Sequence, residues 1–428
     1  MLLLLLIAGI LTLLALRVPV AFALLIPSLV YIAVTPGVTY SLAFEKVSSG
    51  VNSFPLVAVP LFILAGYVAN ASGATGTLFD FISIMLSRVR ARLAYVNIYT
   101  SLGFSWISGT ATADVAGLGV LIMPQMRARG YPDRYVLGLT AASATIGPVM
   151  PPTVAAIIYG VTAGVSIGAM FAAGIIPALI IAVVLTIWVA VWAYRNPDIA
   201  VADKVNGDGF FRTAISSLPL LVAPVIIIGG ILGGVFTPTE AAGVAVLWLL
   251  FVGIVIKRTM PPRVLWDVFL KAAHTTSTLF IIVATTKLLA WILAREQAPQ
   301  VVAETLLNLT SNQILLILLI NVGLLLVGMI LDTISGILIM VPVLLPIAEL
   351  IGLDPVQMGV MVIFNLAIGS LTPPIGLVLY ILSSVTDTPF VPVVRAVAPM
   401  IVPLLIVLIL ISLIPMLTLW LPSLLGLI

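Results

Sequence analysis

Cysteine is absent and histidine occurs once, at His274, in 428 residues. Disulfides, thiol catalysis and thiolate metal sites are thereby excluded, and a histidine-based zinc site would have a single ligand. Charge is scarce as well: 8% of residues are Asp, Glu, Lys or Arg, where soluble domains carry roughly a quarter. No Gly-rich phosphate loop ending in Gly-Lys-Ser/Thr occurs, so an ATP-driven pump has no nucleotide site here. What fills the chain instead is apolar: the hydrophobic share is 62% and mean hydropathy +1.32. Apolar runs repeatedly reach the ~20 residues that a helix needs to cross hydrocarbon, and the alternation of an outer-membrane barrel is missing. The fold class expected is an all-α polytopic membrane protein with about ten crossings. The leading stretch Met1 to Val34 lacks a basic n-region and a small-residue cleavage site, so it reads as two helices turning at Arg17-Val-Pro19 rather than as a signal peptide.

The few charges are sided. Arginine and lysine gather at Arg88, Arg90 and Arg92, at Arg127, Arg129 and Arg134, from Arg195 to Arg212, and from Lys257 to Lys271. Glu296 to Asp354 holds acids and no Lys or Arg. By the positive-inside rule the basic groups are cytoplasmic and the acidic stretch lies outside. A polar linker, 196–213, divides the chain into halves 1–195 and 214–428. At an offset of 222 residues Pro124 falls on Pro346, Gly130 on Gly352, Gly147 on Gly369, and Pro151-Pro152 on Pro373-Pro374. Opposite flanking charge gives the two copies opposite topology, the inverted-repeat pattern of secondary transporters.

Each half has the same order of parts. Helices are expected near 1–16, 18–35, 54–71 and 165–194 in the first half, with an amphipathic stretch over 77–92. Residues 93–126 are apolar around a polar centre, Ser105 to Asp114, with arginine at both ends, which predicts a re-entrant hairpin. Residues 135–161 are long enough to cross but broken at Gly147-Pro-Val-Met-Pro-Pro152, because prolines lack N–H donors and push the preceding residue out of the helical region. The second half is expected to repeat this, with helices near 214–235, 239–256 and 274–293, a hairpin over 313–345, a broken helix over 356–385 and a final helix over 391–424.

Unwound backbone persists at membrane depth only where it lines a polar cavity or is buried in protein. A sodium ion prefers oxygen ligands; hairpin tips offer hydroxyls and broken helices offer carbonyls at their dipole ends. Ser108 and Thr110 are therefore paired with carbonyls near Gly147 and Met150, and Asp332 and Thr333 with carbonyls near Gly369 and Thr372. The solute would sit between the tips, against Gly109, Thr112 and Ser335. The half-helix N-termini after Pro152 and Pro374, with Thr153, can receive an anion without a buried arginine. Asn365 is a solute contact or an interhelical hydrogen bond. Asp332 binds ion or solute, or caps its hairpin arm; an acid in an apolar span is costly and usually functional. Asp114 is a ligand or a cap. Ser101, Ser143 and Gly138 read as close helix packing. An intramembrane aspartyl protease would need two facing acids, which Asp332 and Asp114, in opposite hairpins, do not supply; a channel needs no pair of mirrored hairpins.

The chain resembles the large membrane subunit of the tripartite ATP-independent periplasmic (TRAP) transporters, of the type carrying four-carbon dicarboxylates or sialic acid. The likeness runs through Phe54-Pro-Leu-Val-Ala-Val-Pro-Leu-Phe-Ile-Leu-Ala-Gly66, Ser108-Gly-Thr110, Met123-Pro-Gln-Met126, Arg129-Gly-Tyr131 and Pro151-Pro-Thr-Val-Ala-Ala-Ile-Ile-Tyr-Gly160. It continues through Gly234-Val-Phe-Thr-Pro-Thr-Glu-Ala-Ala242, Gly328-Met-Ile-Leu-Asp-Thr333, Val341-Pro-Val-Leu-Leu-Pro346 and Thr372-Pro-Pro-Ile-Gly376. The resemblance implies a non-enzymatic importer of the bacterial or archaeal inner membrane, working as an elevator. A small organic acid would be carried with sodium as coupling ion and no other cofactor. A soluble periplasmic binding protein would deliver the solute, and a small four-helix membrane subunit would complete the scaffold. Where the family often has Ser-Gly-Ser-Ser, this chain has Ser108-Gly-Thr-Ala111, and Ala111 offers no side-chain oxygen. The alternative is a sodium/organic-anion symporter that needs no binding protein.

Overall fold

In hydrocarbon a backbone amide has no water to bond, so apolar runs of this composition satisfy their N–H and C=O groups within helices. The computed structural model describes residues 2–16, 18–198 and 207–428, and those residues form helices joined by short turns, with no strand among them. Arg17, at the expected first turn, and residues 199–206 of the expected linker lie outside the described residues. Six described helices are long and apolar enough to cross a bilayer: Phe54–Ala71, Ile167–Arg195, Pro238–Ile256, Pro262–Arg295, Thr333–Leu350 and Phe390–Leu413. Other apolar helices run 10–17 residues, among them Val154–Ala163, Gln313–Gly328, Pro355–Gly369 and Leu377–Thr386. Too short to cross alone, these are the pieces of hairpin and broken helix.

The first hairpin is Arg92–Ser108 and Ala111–Ala128; the second is Gln313–Gly328 and Thr333–Leu350. The first broken helix runs Asp133–Ala144, then one turn Ile146–Val149, an extended stretch through Pro151-Pro152, and Val154–Ala163. The second runs Pro355–Gly369, a non-helical stretch through Pro373-Pro374, and Leu377–Thr386. Both Pro-Pro peptide bonds are cis. The element bounds follow the same offset of 222: Ala111–Ala128 lands on Thr333–Leu350, and Asp133 on Pro355.

Packing is reciprocal between the halves. Val154–Ala163 lies along Thr333–Leu350, and Leu377–Thr386 along Ala111–Ala128. Phe390–Leu413 packs on Asp133–Ala144, as Ile167–Arg195 packs on Pro355–Gly369. The first parts of the broken helices are enclosed on every side: Tyr135 to Ala144 and Val356 to Gly369 are all buried. Around this body, Leu2–Ala15 packs on Val20–Val34, which with Tyr40–Val51 and Ala58–Ala71 lies on Pro262–Arg295, while Gly207–Leu232 packs on Pro238–Phe251 and Ala74–Met85. Outward side chains such as Leu4, Phe22, Val183, Leu247 and Val402 are exposed and apolar, as a lipid-facing surface requires.

Several sequence expectations change. Tyr40–Val51 is a helix that hydropathy passes over, because Glu45, Lys46 and three serines dilute its apolar face. It crosses Pro262–Arg295 at Gly50, where a Cβ would stand 3.0 Å from Ala284 Cα. The helix expected over 274–293 begins at Pro262, its first turns hidden by exposed Asp267 and Lys271. The helix after the linker begins at Gly207, so 207–213 is helix and not linker; the apolar composition resumes at Phe210-Phe211. The final helix is two, Phe390–Leu413 and Met416–Leu424, divided at Pro415, which has no N–H to continue the ladder.

Candidate functional site

The first tip is shaped by two residues. Gly109, at φ +59°, takes the left-handed conformation that ends Arg92–Ser108, donating its N–H to Ser105 O at 3.0 Å. Thr110 is extended and caps Ala111–Ala128, its Oγ1 accepting from Ala113 N–H at 3.3 Å. The Thr112 hydroxyl stands 3.5 Å from that Oγ1. Ser108 closes the first arm, and its side chain lies outside the described ones. The tip rests on the first break: a Cβ on Gly147 would lie 3.1 Å from Thr110 C, and one on Gly109 would lie 3.3 Å from Thr153 Cα. Met150 donates its N–H to Ile146 O at 2.9 Å, and Thr153 caps Val154–Ala163 through Ala156 N–H at 3.0 Å.

The second tip uses an acid where the first uses a threonine. Asp332 Oδ2 accepts from Ile334 N–H at 3.0 Å and Ser335 N–H at 3.3 Å, and its Oδ1 accepts from the Ser335 hydroxyl. The positive end of the helix dipole thus points at the Asp332 side chain. Met329 O accepts from Ile375 and Gly376 N–H at 3.3 and 3.1 Å, tying the tip to the second break. Gly369 packs on Gly328: a Cβ would lie 2.5 Å from Gly328 Cα. Thr372 bonds back to Gly369 O through N–H at 2.9 Å and Oγ1 at 2.6 Å.

The two tips meet. Gly109, Thr110 and Thr112 line one cavity of about 160 Å³ with Asp332, Thr333 and Ser370. A larger cavity of about 550 Å³ shares Thr110, Thr112 and Ile334 and extends to Tyr67, Asn70 and Thr275. The structure therefore brings five of the expected residues into one cavity. Gly147, Met150, Pro152, Thr153 and Ser335 are buried close behind it as support. Gly369 packs on Gly328 at the tip end of the second hairpin's first arm, Thr372 bonds back to Gly369, and Pro374 is exposed on the break. Asn365 is elsewhere: its Nδ2 donates to Asn321 O at 3.0 Å and Asn321 Oδ1 at 2.8 Å, while Asn321 Nδ2 donates to Ser412 Oγ at 3.0 Å. Sequence reasoning passed over Ser370, Tyr67, Asn70 and Thr275. Tyr67 and Thr275, whose hydroxyls are 3.0 Å apart, belong to helices far apart in the chain, so no local pattern joins them.

Polar groups turned inward, an apolar exterior and two tips closing on one cavity define a multi-pass helical membrane protein with an internal binding chamber. The fold is shared with the YdaH transporter of Alcanivorax borkumensis, at TM-score 0.64 and 14% identity, over 92% of this chain and 95% of that one. The family model of the tripartite ATP-independent periplasmic transporter, DctM component, matches residues 7–417. The sialic acid TRAP transporter large permease SiaM of Vibrio cholerae is 40% identical over 406 residues, 95% of each chain. The 2,3-diketo-L-gulonate TRAP large permease YiaN of Escherichia coli is 35% identical, over 90% of each. The chain belongs to the TRAP transporter family as a large permease component. It is thus an inner-membrane permease component of that transport family.

Proposed function

We propose that this permease imports a small organic acid together with sodium, the acid being passed to it by a periplasmic binding protein, through elevator-type movement of the hairpins and broken helices against the peripheral helices. The observation that carries the reading is the cavity between the tips, whose lining among the described residues holds one carboxylate, Asp332, and no Lys, Arg or His. An anion entering that cavity meets a like charge in a low-dielectric place, so it travels with compensating cations. Hydroxyls of Thr110, Thr112 and Thr333 supply further oxygens for sodium. Relatives are named for sialic acid, 2,3-diketo-L-gulonate and, in the Pseudomonas aeruginosa permease that is 32% identical, C4-dicarboxylates, all acids, which supports an organic acid as the solute of this chain. A small four-helix membrane subunit covers part of the lipid-exposed scaffold.

The test is uptake of labelled organic acids into proteoliposomes holding this chain and its small partner, with and without an inward sodium gradient and the binding protein. Uptake that needs both supports the proposal. Sodium-driven uptake without the binding protein makes it a self-sufficient symporter, and uptake indifferent to sodium removes the coupling ion.

A further inference from the structure

A second acid lies deeper in the first hairpin. Asp114 is 1% exposed, and neither carboxylate oxygen meets a hydrogen-bond donor. None of the ion pairs among the described residues includes it. Its neighbour is the Ser101 hydroxyl, but that hydroxyl donates to Ser143 Oγ at 3.2 Å, Ser143 donates to Asn97 Oδ1 at 3.1 Å, and Asn97 Nδ2 donates to Thr140 Oγ1 at 2.8 Å. All four partners are 0–2% exposed. Ser101 has one proton; turned to Asp114 it would leave Ser143 without a donor. One hydroxyl proton at most therefore reaches the Asp114 carboxylate, too little to neutralise it.

The second half shows that a hairpin of this design does not need such a cluster. At the offset of 222, Asn97, Ser101, Asp114, Thr140 and Ser143 become Leu319, Gly323, Gly336, Val362 and Asn365. Gly336 there is packed against the Leu366 side chain, 2.7 Å from where a Cβ would be, so the equivalent place is filled with hydrocarbon. An unpaired buried carboxylate is strongly unfavourable and is kept where something neutralises it.

We infer that Asp114, with the oxygens of Ser101, Ser143 and Asn97, forms a monovalent-cation site within the first hairpin, separate from the cavity between the tips. Carboxylate, hydroxyl and amide oxygens are hard ligands suited to sodium rather than to soft metals. One carboxylate among neutral oxygens carries a single negative charge, which one sodium balances; no group of three His, Cys, Asp or Glu able to hold a metal ion occurs among the described residues. A route to the site exists: Asp114 is one turn, about 6 Å, along the helix from Thr110, and Thr112 and Ala113 line the 550 Å³ cavity.

The test is equilibrium binding of radioactive sodium to the purified chain at constant ionic strength, with N-methyl-D-glucamine replacing sodium, beside melting curves over the same titration. Asp114→Asn should lose one bound sodium per chain, and Ser143→Ala should raise half-saturation of that component about ten-fold. Thr110→Ala should weaken a different sodium and leave this one, so failure of the tip assignment and failure of this one are told apart. Unchanged sodium stoichiometry in Asp114→Asn overturns the site; if that variant instead abolishes a pH dependence of uptake, the carboxyl carries a proton and the cation site is equally refuted. Should Asp114→Asn not fold, unchanged binding in Ser143→Ala overturns it.

Discussion

Asp332 caps its helix and, in the proposed function, also binds sodium, and a single substitution can separate the two. Asparagine caps a helix about as well as aspartate, whereas alanine forfeits about 0.5–2 kcal/mol of capping. Asp332→Asn should therefore melt like the parent while half-saturating sodium for uptake rises at least about ten-fold, near 1.4 kcal/mol. Normal sodium dependence would leave Asp332 as a cap alone. Thr110→Ala should likewise weaken sodium dependence, with a loss of stability toward the low end of that capping range because its bond to Ala113 is long, at 3.3 Å. Asn365 belongs to the opposite case. Asn365→Leu strands Asn321 and should lower stability by about 1–3 kcal/mol without moving sodium half-saturation, read by melting and uptake together. Asp332 and Thr110 were legible because polar residues stand out in apolar runs. The destination of Asn365 was not, since bonding to Asn321 and Ser412 depends on which helix faces which, and sequence spacing is silent on that.

At the scale of the element, each hairpin is set on its own half's broken helix by contacts that admit no side chain. Gly369→Ala would drive a methyl group to 2.5 Å from Gly328 Cα. It should cost about 1–3 kcal/mol and depress uptake by misplacing the second tip, whereas Gly243→Ala, which meets nothing within 4 Å, should do neither. Movement of the hairpins against the scaffold can be followed at Ala116, which is exposed and lines the 550 Å³ cavity. In the cysteine-free parent, Ala116→Cys should react with a thiol reagent at a rate that changes when sodium and solute are supplied together; a constant rate argues against the elevator reading. The hairpins and breaks were readable from arginine placement and the paired prolines. Tyr40–Val51 and the division at Pro415 were not, the first because its charges mask a buried face, the second because helices here tolerate internal prolines elsewhere, as at Pro177 and Pro399.

For the molecule as a whole, sidedness follows from charge. A membrane-impermeant thiol reagent should label Ser311→Cys from outside the cell, and Asp198→Cys only after permeabilisation, both positions being exposed. The reverse result would invert the orientation. The reciprocal packing also bears on how the protein is made. Val154–Ala163 emerges from the ribosome well before its partner Thr333–Leu350, a wait of roughly ten to thirty seconds at ordinary synthesis rates. Asp133–Ala144, buried from Tyr135 onward in the finished protein, meanwhile has no partner in Phe390–Leu413. The first half must therefore remain in the membrane as an incomplete assembly until the last helices arrive, and a chain stopped after Arg195 should be recognised as unfinished and degraded.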